Sequence, residues 1–299
     1  MRENYFKERF RINSVEGILK KFLEMRIKEY KFIYKKLGKD DLAFLEGYGL
    51  SKLFLKEKPN FWDRFNMLRM FKGYSIERFN YSVRTIMENK RHLKILDAGC
   101  GLGTNSILFA LLGADVWGID IKKQRIDLAK ERVKYYEREY DVRLDINFLA
   151  QNIFDLKGSF DVIFVNEAIS HIHPAEEFLK LSYRLLKNNG EIIIADANGL
   201  NPFVQLHYFK KRGSKLYDTI IDSATGKIIP IANERIFNLY QIKKRLQNAK
   251  FSIKHIECFL PFASFTGRKV YNRIFLRLQK LPLFASVLGR AYAISGIRR

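Results

Sequence analysis

Cysteine is nearly missing from this chain: its 299 residues hold two, Cys100 and Cys258. Two thiols so far apart build no disulfide framework, and neither has the spacing of a metal site, so a reducing compartment and no bound metal are expected. Long apolar runs are missing as well. The longest uncharged stretch, Ala98 to Ala114, falls short of the roughly 20 residues of a membrane span and contains a glycine-rich turn. The first residues, Met-Arg-Glu-Asn-Tyr-Phe-Lys-Glu, carry charge where a secretory signal needs an apolar core, which points to the cytoplasm. There is no internal repeat and no low-complexity segment. Basic residues outnumber acids only toward the two ends. Residues 1–94 hold 23 Lys and Arg against 12 Asp and Glu, residues 95–198 hold 12 against 16, and residues 199–299 hold 19 against 4, for a net charge of +22. An ion-paired surface needs both signs in one place. Unbalanced flanks point instead to an acidic partner: nucleic acid, an anionic lipid surface or a phosphorylated small molecule. The length suits one domain with substantial additions.

The middle of the chain carries the chemistry. Ile95-Leu96-Asp97-Ala98-Gly99-Cys100-Gly101-Leu102-Gly103-Thr104-Asn105 reads as the end of a buried strand, an acid, then alternating glycines before a helix. Glycines so placed let backbone approach a ligand closely. A second apolar run, Val116-Trp117-Gly118-Ile119, closes on Asp120, and a glycine turn plus an acid ending the next strand suits an adenosine in a doubly wound sheet. The dinucleotide fingerprint G-x-G-x-x-G/A is not met. Its third position is Thr104 counted from Gly99, or Ser106 counted from Gly101.

Asp97-x-Gly99-x-Gly101-x-Gly103 instead resembles the first motif of the class I S-adenosylmethionine-dependent methyltransferases, and the similarity continues in order downstream. Ile146–Gln151 looks like a third strand leading into Asn152-Ile153-Phe154-Asp155-Leu156. Phe160-Asp161-Val162-Ile163 matches the family's F-D-x-[IV] fourth strand, and Tyr183–Gly190 is similar to its RxLKPGG run before strand five, Glu191–Asn198. The resemblance implies an α/β fold: a Rossmann-like, doubly wound, seven-stranded sheet closed by a reversed C-terminal β-hairpin. It also implies S-adenosylmethionine as cofactor. Asp97, Gly99, Cys100, Gly101, Gly103 and Asn166 then fall around the amino-acid end. Asp120 falls at the ribose hydroxyls, Ile121 on the adenine, and Asn152 with Ile153 at the adenine edge. The family usually has an acid where Asn152 stands; an amide carbonyl still accepts the adenine's hydrogen bond, without charge assistance.

Residues 1–93 read as a helical cap and acceptor-site segment before a methyltransferase domain over residues 94–299. Val15 to Tyr34 has apolar residues at helical spacing, a second helix is expected from about Asp41 to Leu55, and a third over about Ile76 to Lys90. In related enzymes such helices cover the cofactor, which makes Tyr74 and Arg78 candidate contacts to its carboxylate. After strand five, residues 199–233 form an insertion read as an acceptor lid, with a helix over about Phe203 to Tyr217 and a β-like stretch at Lys227–Ile231. A helix is expected over Glu234–Lys250, strand six over Phe251–Phe259 and strand seven over Gly289–Arg298. Between those strands lies a basic amphipathic excursion, residues 263–288. It either lies peripherally on the inner face of an anionic membrane or packs on the sheet.

The sequence Asn166-Glu167-Ala168-Ile169 is not the N-P-P-[YFW] signature of base and amide methylation. A small-molecule or lipid-linked anionic acceptor, methylated on oxygen, is therefore expected. RNA methylation and noncatalytic cofactor binding are the alternatives. His171, His173 and Glu167 follow strand four, where a hydroxyl acceptor would lose its proton. Each also has a structural reading: ordering the loop for His171, helix entry for His173.

Overall fold

The computed structural model describes residues 4–33, 36, 77–89, 92–222, 224–259, 286–287 and 289–299. Helices α1 (Tyr5–Phe10), α2 (Val15–Ile33) and α3 (Glu77–Glu88) lead to β1 (Lys94–Ala98). Strands and helices then alternate through α4 (Thr104–Leu111), β2 (Asp115–Asp120), α5 (Lys123–Tyr140), β3 (Ile146–Ala150), β4 (Phe160–Asn166), α6 (Ala175–Leu185) and β5 (Leu186–Ala197). An insertion of α7 (Pro202–Arg212) and the hairpin β6 (Tyr217–Ile221) and β7 (Ile228–Ala232) precedes α8 (Leu239–Asn248), β8 (Ser252–Phe259) and β9 (Ala291–Ile297).

Seven strands form one sheet in the order β3-β2-β1-β4-β5-β9-β8, with β1 to β5 parallel and β9 reversed against both neighbours. The chain steps outward from β1 to β3, then returns to β4 on the other side of β1. That switch opens a crevice at the carboxyl ends of β1 and β4, where open sheets bind ligands. Side chains alternate between two cores, as strand geometry requires. Ile95, Val116, Phe164 and Ile193 pack with Ile18, Met25, Phe109 and Tyr136 on one face. Leu96, Ile163, Val165 and Ile192 pack with Phe178, Leu179, Ile242 and Leu246 on the other. Helices α1 to α3 thus share a core with the sheet rather than forming a detached layer.

The expected strands are all present, but several helix limits differ from expectation. Helix α6 stops at Leu185, and the chain is already extended at Leu186, where β5 pairs with Phe160. The lid helix ends at Arg212 because Gly213 turns to φ +63°, and Tyr217 opens a strand instead, paired with Ala232. Helix α8 starts at Leu239, not Glu234, since Asn238 and Gln241 form a reciprocal capping box. The expected helix at 41–55, Tyr74 and the excursion at 263–288 lie outside the described residues, save Ser286, Val287 and the stretch's surroundings from Gly289 onward. Among the described residues no helix is long and apolar enough to cross a membrane.

One buried ion pair ties the N-terminal helices to the sheet. Glu29 of α2 accepts from Arg132 Nε and Nη2 of α5, at 2.5 and 2.9 Å, and from the Tyr136 hydroxyl at 3.0 Å. Both charged side chains are nearly sealed from solvent, and Arg132 Nη1 also reaches the carbonyl of Leu102 and the Thr104 hydroxyl in the glycine turn. Removing one partner strands the other's charge in the interior. Glu29→Ala is therefore expected to lower unfolding free energy by about 3–5 kcal/mol, measured by denaturant titration. A loss well under 1 kcal/mol would contradict this role for the pair.

Candidate active site

The glycine turn joins β1 to α4 at the switch point. Gly99, Gly101 and Gly103 all have left-handed backbone, at φ +73°, +52° and +71°, which L side chains resist. Their surroundings differ. A Cβ on Gly99 would lie 2.6 Å from the Ala168 methyl, and one on Gly103 would lie 2.5 Å from the Phe148 ring, so both are needed for close packing. A Cβ on Gly101 would meet nothing within 4 Å. Gly101 faces open space, as a ligand cradle does.

Backbone hydrogen bonds hold this turn. Gly99 and Cys100 both donate to the Ile119 carbonyl at 2.9 Å. Gly101 N donates to Asp120 Oδ2 at 3.0 Å, and Lys122 N donates to Asp120 Oδ1 at 2.9 Å. Each carboxylate oxygen keeps a second lone pair for a ligand hydroxyl. Asp97, ending β1, is fully enclosed and accepts from the Ser106 hydroxyl at 2.6 Å. Burial pushes its carboxyl up to about 7, with the Ser106 hydrogen bonds opposing and Asp120 adding. Ser106 occupies the position where a dinucleotide turn has its third glycine. The Cys100 side chain packs with Ile126, Ala129 and Phe148, and burial pushes its thiol well up, so it acts as packing and not as a nucleophile.

The remaining expected residues fall on neighbouring strand ends. Asn152 follows β3 and caps a short turn over Ile153–Asp155, its Oδ1 accepting from Phe154 N at 3.1 Å. Ile121 directly follows Asp120. Asn166 ends β4, and its Oδ1 is buried with no hydrogen-bond partner among the described residues. A buried acceptor left unmet is costly and calls for a donor from a ligand. The three candidates for proton transfer have different partners. Glu167, at φ +51°, forms a 2.7 Å ion pair with the buried guanidinium of Arg78 from α3. The His173 ring lies 4.8 Å from the Tyr217 ring of the lid hairpin. His171 is about half exposed (48%), and its Nε2 lies 3.5 Å from Glu234 Oε2.

Two acids at this site escaped the sequence reading. Asp196, on β5, accepts from Ser170 N and Ala197 N, and burial pushes it up to about 7, with Arg78 opposing and Glu167 adding. Its signal was an acid closing an apolar strand, the same one that marked Asp97. Glu234, at φ +50°, is clamped between Lys211 Nζ at 2.5 Å and His171. Ala232 N and Arg235 N donate to the carbonyls of His171 and Ser170 on either side of it. Nothing in the local sequence distinguishes Glu234 from other acids.

Residues 89–225 match the family model described as a methyltransferase domain. That match takes in a little under half of the chain, and both it and the fold are similar to those of S-adenosylmethionine-dependent methyltransferases. Among curated proteins, it is 30% identical over 154 residues to the ubiquinone biosynthesis O-methyltransferase of Pelagibacter ubique, covering 48% of this chain and 62% of that protein. It is 29% identical over 152 residues to the enzyme of the same name from Rickettsia typhi, covering 49% and 59%. The match thus spans less than two thirds of these relatives. Magnesium protoporphyrin IX methyltransferase from Synechocystis, solved with S-adenosylhomocysteine, shares the fold at a TM-score of 0.51 and 17% identity, over 86% of this chain and 97% of that one.

The cradle fits an adenosine carrying an amino-acid tail: an open face at Gly101, carboxylate lone pairs at Asp120 and an unmet acceptor at Asn166. Gly101→Ala places a methyl in the open space and costs roughly 1–2 kcal/mol in left-handed backbone. It is expected to keep the fold but abolish S-adenosylmethionine binding in calorimetric titration. Wild-type affinity in this variant would show that the open space is not the cofactor's.

Proposed function

We propose that this chain transfers a methyl group from S-adenosylmethionine to a hydroxyl oxygen of a small or lipid-linked acceptor that has an apolar body and negative charge. The observation that carries this reading is the strand-end cradle of Gly101, Asp120 and Asn166. In it, Asp120 would hold the ribose hydroxyls, Ile121 and Ile153 would flank the adenine, and Asn152 would meet its amino edge. Asn166 Oδ1 would accept from the amino group of the methionine end. Bound there, the cofactor supplies an electrophilic methyl group on a positively charged sulfur. The relatives named ubiquinone biosynthesis O-methyltransferase support a hydroxyl acceptor of the quinone-precursor kind.

The acceptor's proton passes to His171 in this reading. Its Nε2 faces the Glu234 carboxylate, which leaves Nδ1 as the nitrogen with a lone pair. Desolvation by the surrounding loop lowers the His171 pKa; Lys211 and Arg125 add to this, while Glu234 and Glu167 oppose it. The balance favours the neutral form of the base. Glu167, paired with Arg78, fastens α3 to the end of β4, and His173 forms a wall with Tyr217. Residues 1–93 serve as the cap and 199–233 as the acceptor lid. Helix α7 leaves Phe203, Leu206 and Phe209 exposed and ends in Lys210-Lys211-Arg212, which suits an apolar, anionic acceptor and peripheral contact with an anionic membrane on its cytoplasmic side.

The test is transfer of label from methyl-labelled S-adenosylmethionine to phenolic acceptors with and without an anionic group and an isoprenoid chain. Label on oxygen of the anionic, chain-bearing acceptor is expected, falling as acidification protonates His171, at a pH lower than an ordinary histidine would require. His171→Ala is expected to slow turnover by about 10²–10⁴-fold with cofactor affinity unchanged. Label on RNA, cofactor binding with no labelled product, or full turnover in His171→Ala would each contradict the corresponding part of the reading.

A further inference from the structure

A second cavity lies away from the strand-end cradle, between α7 and α8. It has a volume of about 260 Å³, and Gln205, Arg212, Leu216, Arg235, Gln241 and Arg245 line it. Three guanidinium groups on one small cavity repel each other, and the single Glu176 carboxylate, bonded to Arg245 and acted on by Arg235, offsets only one of the three charges. Their protein partners are few. Arg245 Nε bonds to Glu176 at 2.8 Å, whereas Arg212 Nη1 donates to the Gly213 carbonyl at 2.9 Å and Arg212 Nε is buried with no hydrogen-bond partner among the described residues. A buried donor of this kind calls for an acceptor.

Aromatic faces hold the other two guanidiniums in place. Arg235 lies 5.4 Å from the Tyr217 ring centre and 5.3 Å from that of Phe237, and Arg245 lies 4.7 Å over Phe237. Arg245 spends Nε on Glu176 and Nη1 on the Gln241 carbonyl, at 2.8 and 3.3 Å, and stacking leaves the remaining in-plane N–H groups to meet a ligand, where planar forks suit phosphate oxygens. The volume is just under the usual range for a whole small-molecule ligand, and so suits a head group. Arg235 N donates to the carbonyl of Ser170 at 3.0 Å, so the cavity adjoins the loop that carries His171.

We propose that the Arg212, Arg235 and Arg245 cavity binds the phosphate or diphosphate group of an organic phosphate ester. If the methyl-transfer reading above holds, on which this last step rests, that group is the acceptor's anionic head, held behind the His171 loop while its hydroxyl faces the cradle.

The test is calorimetric titration of the full chain with inorganic diphosphate, run beside S-adenosylmethionine on the same preparation. Saturable diphosphate binding is expected, weakened at least tenfold in Arg212→Gln and in Arg245→Gln and unchanged in Lys227→Gln, an exposed control on the hairpin turn. Cofactor affinity should stay unchanged in all three variants. No diphosphate binding by the wild type, or equal binding by Arg212→Gln and Arg245→Gln, overturns the proposal even when S-adenosylmethionine binds. Loss of cofactor binding with diphosphate still bound would instead overturn the methyl-transfer reading and leave the cavity's assignment standing. Displacement of diphosphate by phosphatidylglycerol vesicles, but not phosphatidylcholine vesicles, supports a lipid head group. Displacement only by a soluble phosphate monoester supports a free metabolite.

Discussion

The carboxylate of Asp120 is the constraint on which the cradle depends. By accepting from Gly101 N and Lys122 N it joins the left-handed turn after β1 to the start of the segment after β2. Three successive positive-φ glycines would otherwise be among the most mobile stretches of the chain. The other anchors come from a distance. Arg132 reaches the turn at Leu102 and Thr104 while paired with Glu29, so the N-terminal helix α2 is coupled to the turn through a single guanidinium. Packing of Gly99 on Ala168 and of Gly103 on Phe148 locks its two ends, leaving Gly101 in between with an open face.

Around this turn the protein gathers charge that it screens from water. Asp97 and Asp196 are enclosed at the ends of neighbouring strands, each with its carboxyl pushed up to about 7 by burial. Arg78 counters Glu167 and bears on Asp196 from the cap helix. A cationic sulfonium and ammonium would be received by this acid-lined crevice. The surplus of positive charge lies elsewhere, in the flanks and the lid, where residues 199–299 hold 19 Lys and Arg against 4 acids. The strand-bearing middle of the chain and its C-terminal third thus carry net charge of opposite sign.

The strand ends were legible because their signals are local. An acid after a buried aliphatic run, alternating glycines and a second acid one strand later all report backbone geometry that few other residues permit. The fold class and the reversed terminal hairpin are what the resemblance carried by those segments implies. The lid hairpin was half legible: Lys227–Ile231 reads as β-like, whereas the helical reading of Phe203–Tyr217 runs past the turn at Gly213 to the first residue of the strand Tyr217–Ile221. Glu234 was invisible. Its role comes from a left-handed backbone and from contacts to Lys211 and His171, residues far from it in sequence, and no spacing encodes that meeting. The convergence of Arg212, Arg235 and Arg245 was equally hidden, since the sequence shows a basic segment but not which cations share a cavity.

The central claim is that the Asp120-anchored turn holds a sulfonium nucleoside. Its most direct test is a crystal structure of the chain grown with S-adenosylhomocysteine. The ribose hydroxyls should lie within hydrogen-bonding distance of Asp120, with the amino group at Asn166 Oδ1 and the chain passing over Gly101. Nucleoside bound elsewhere, or a turn that stays empty at saturating ligand, would contradict it.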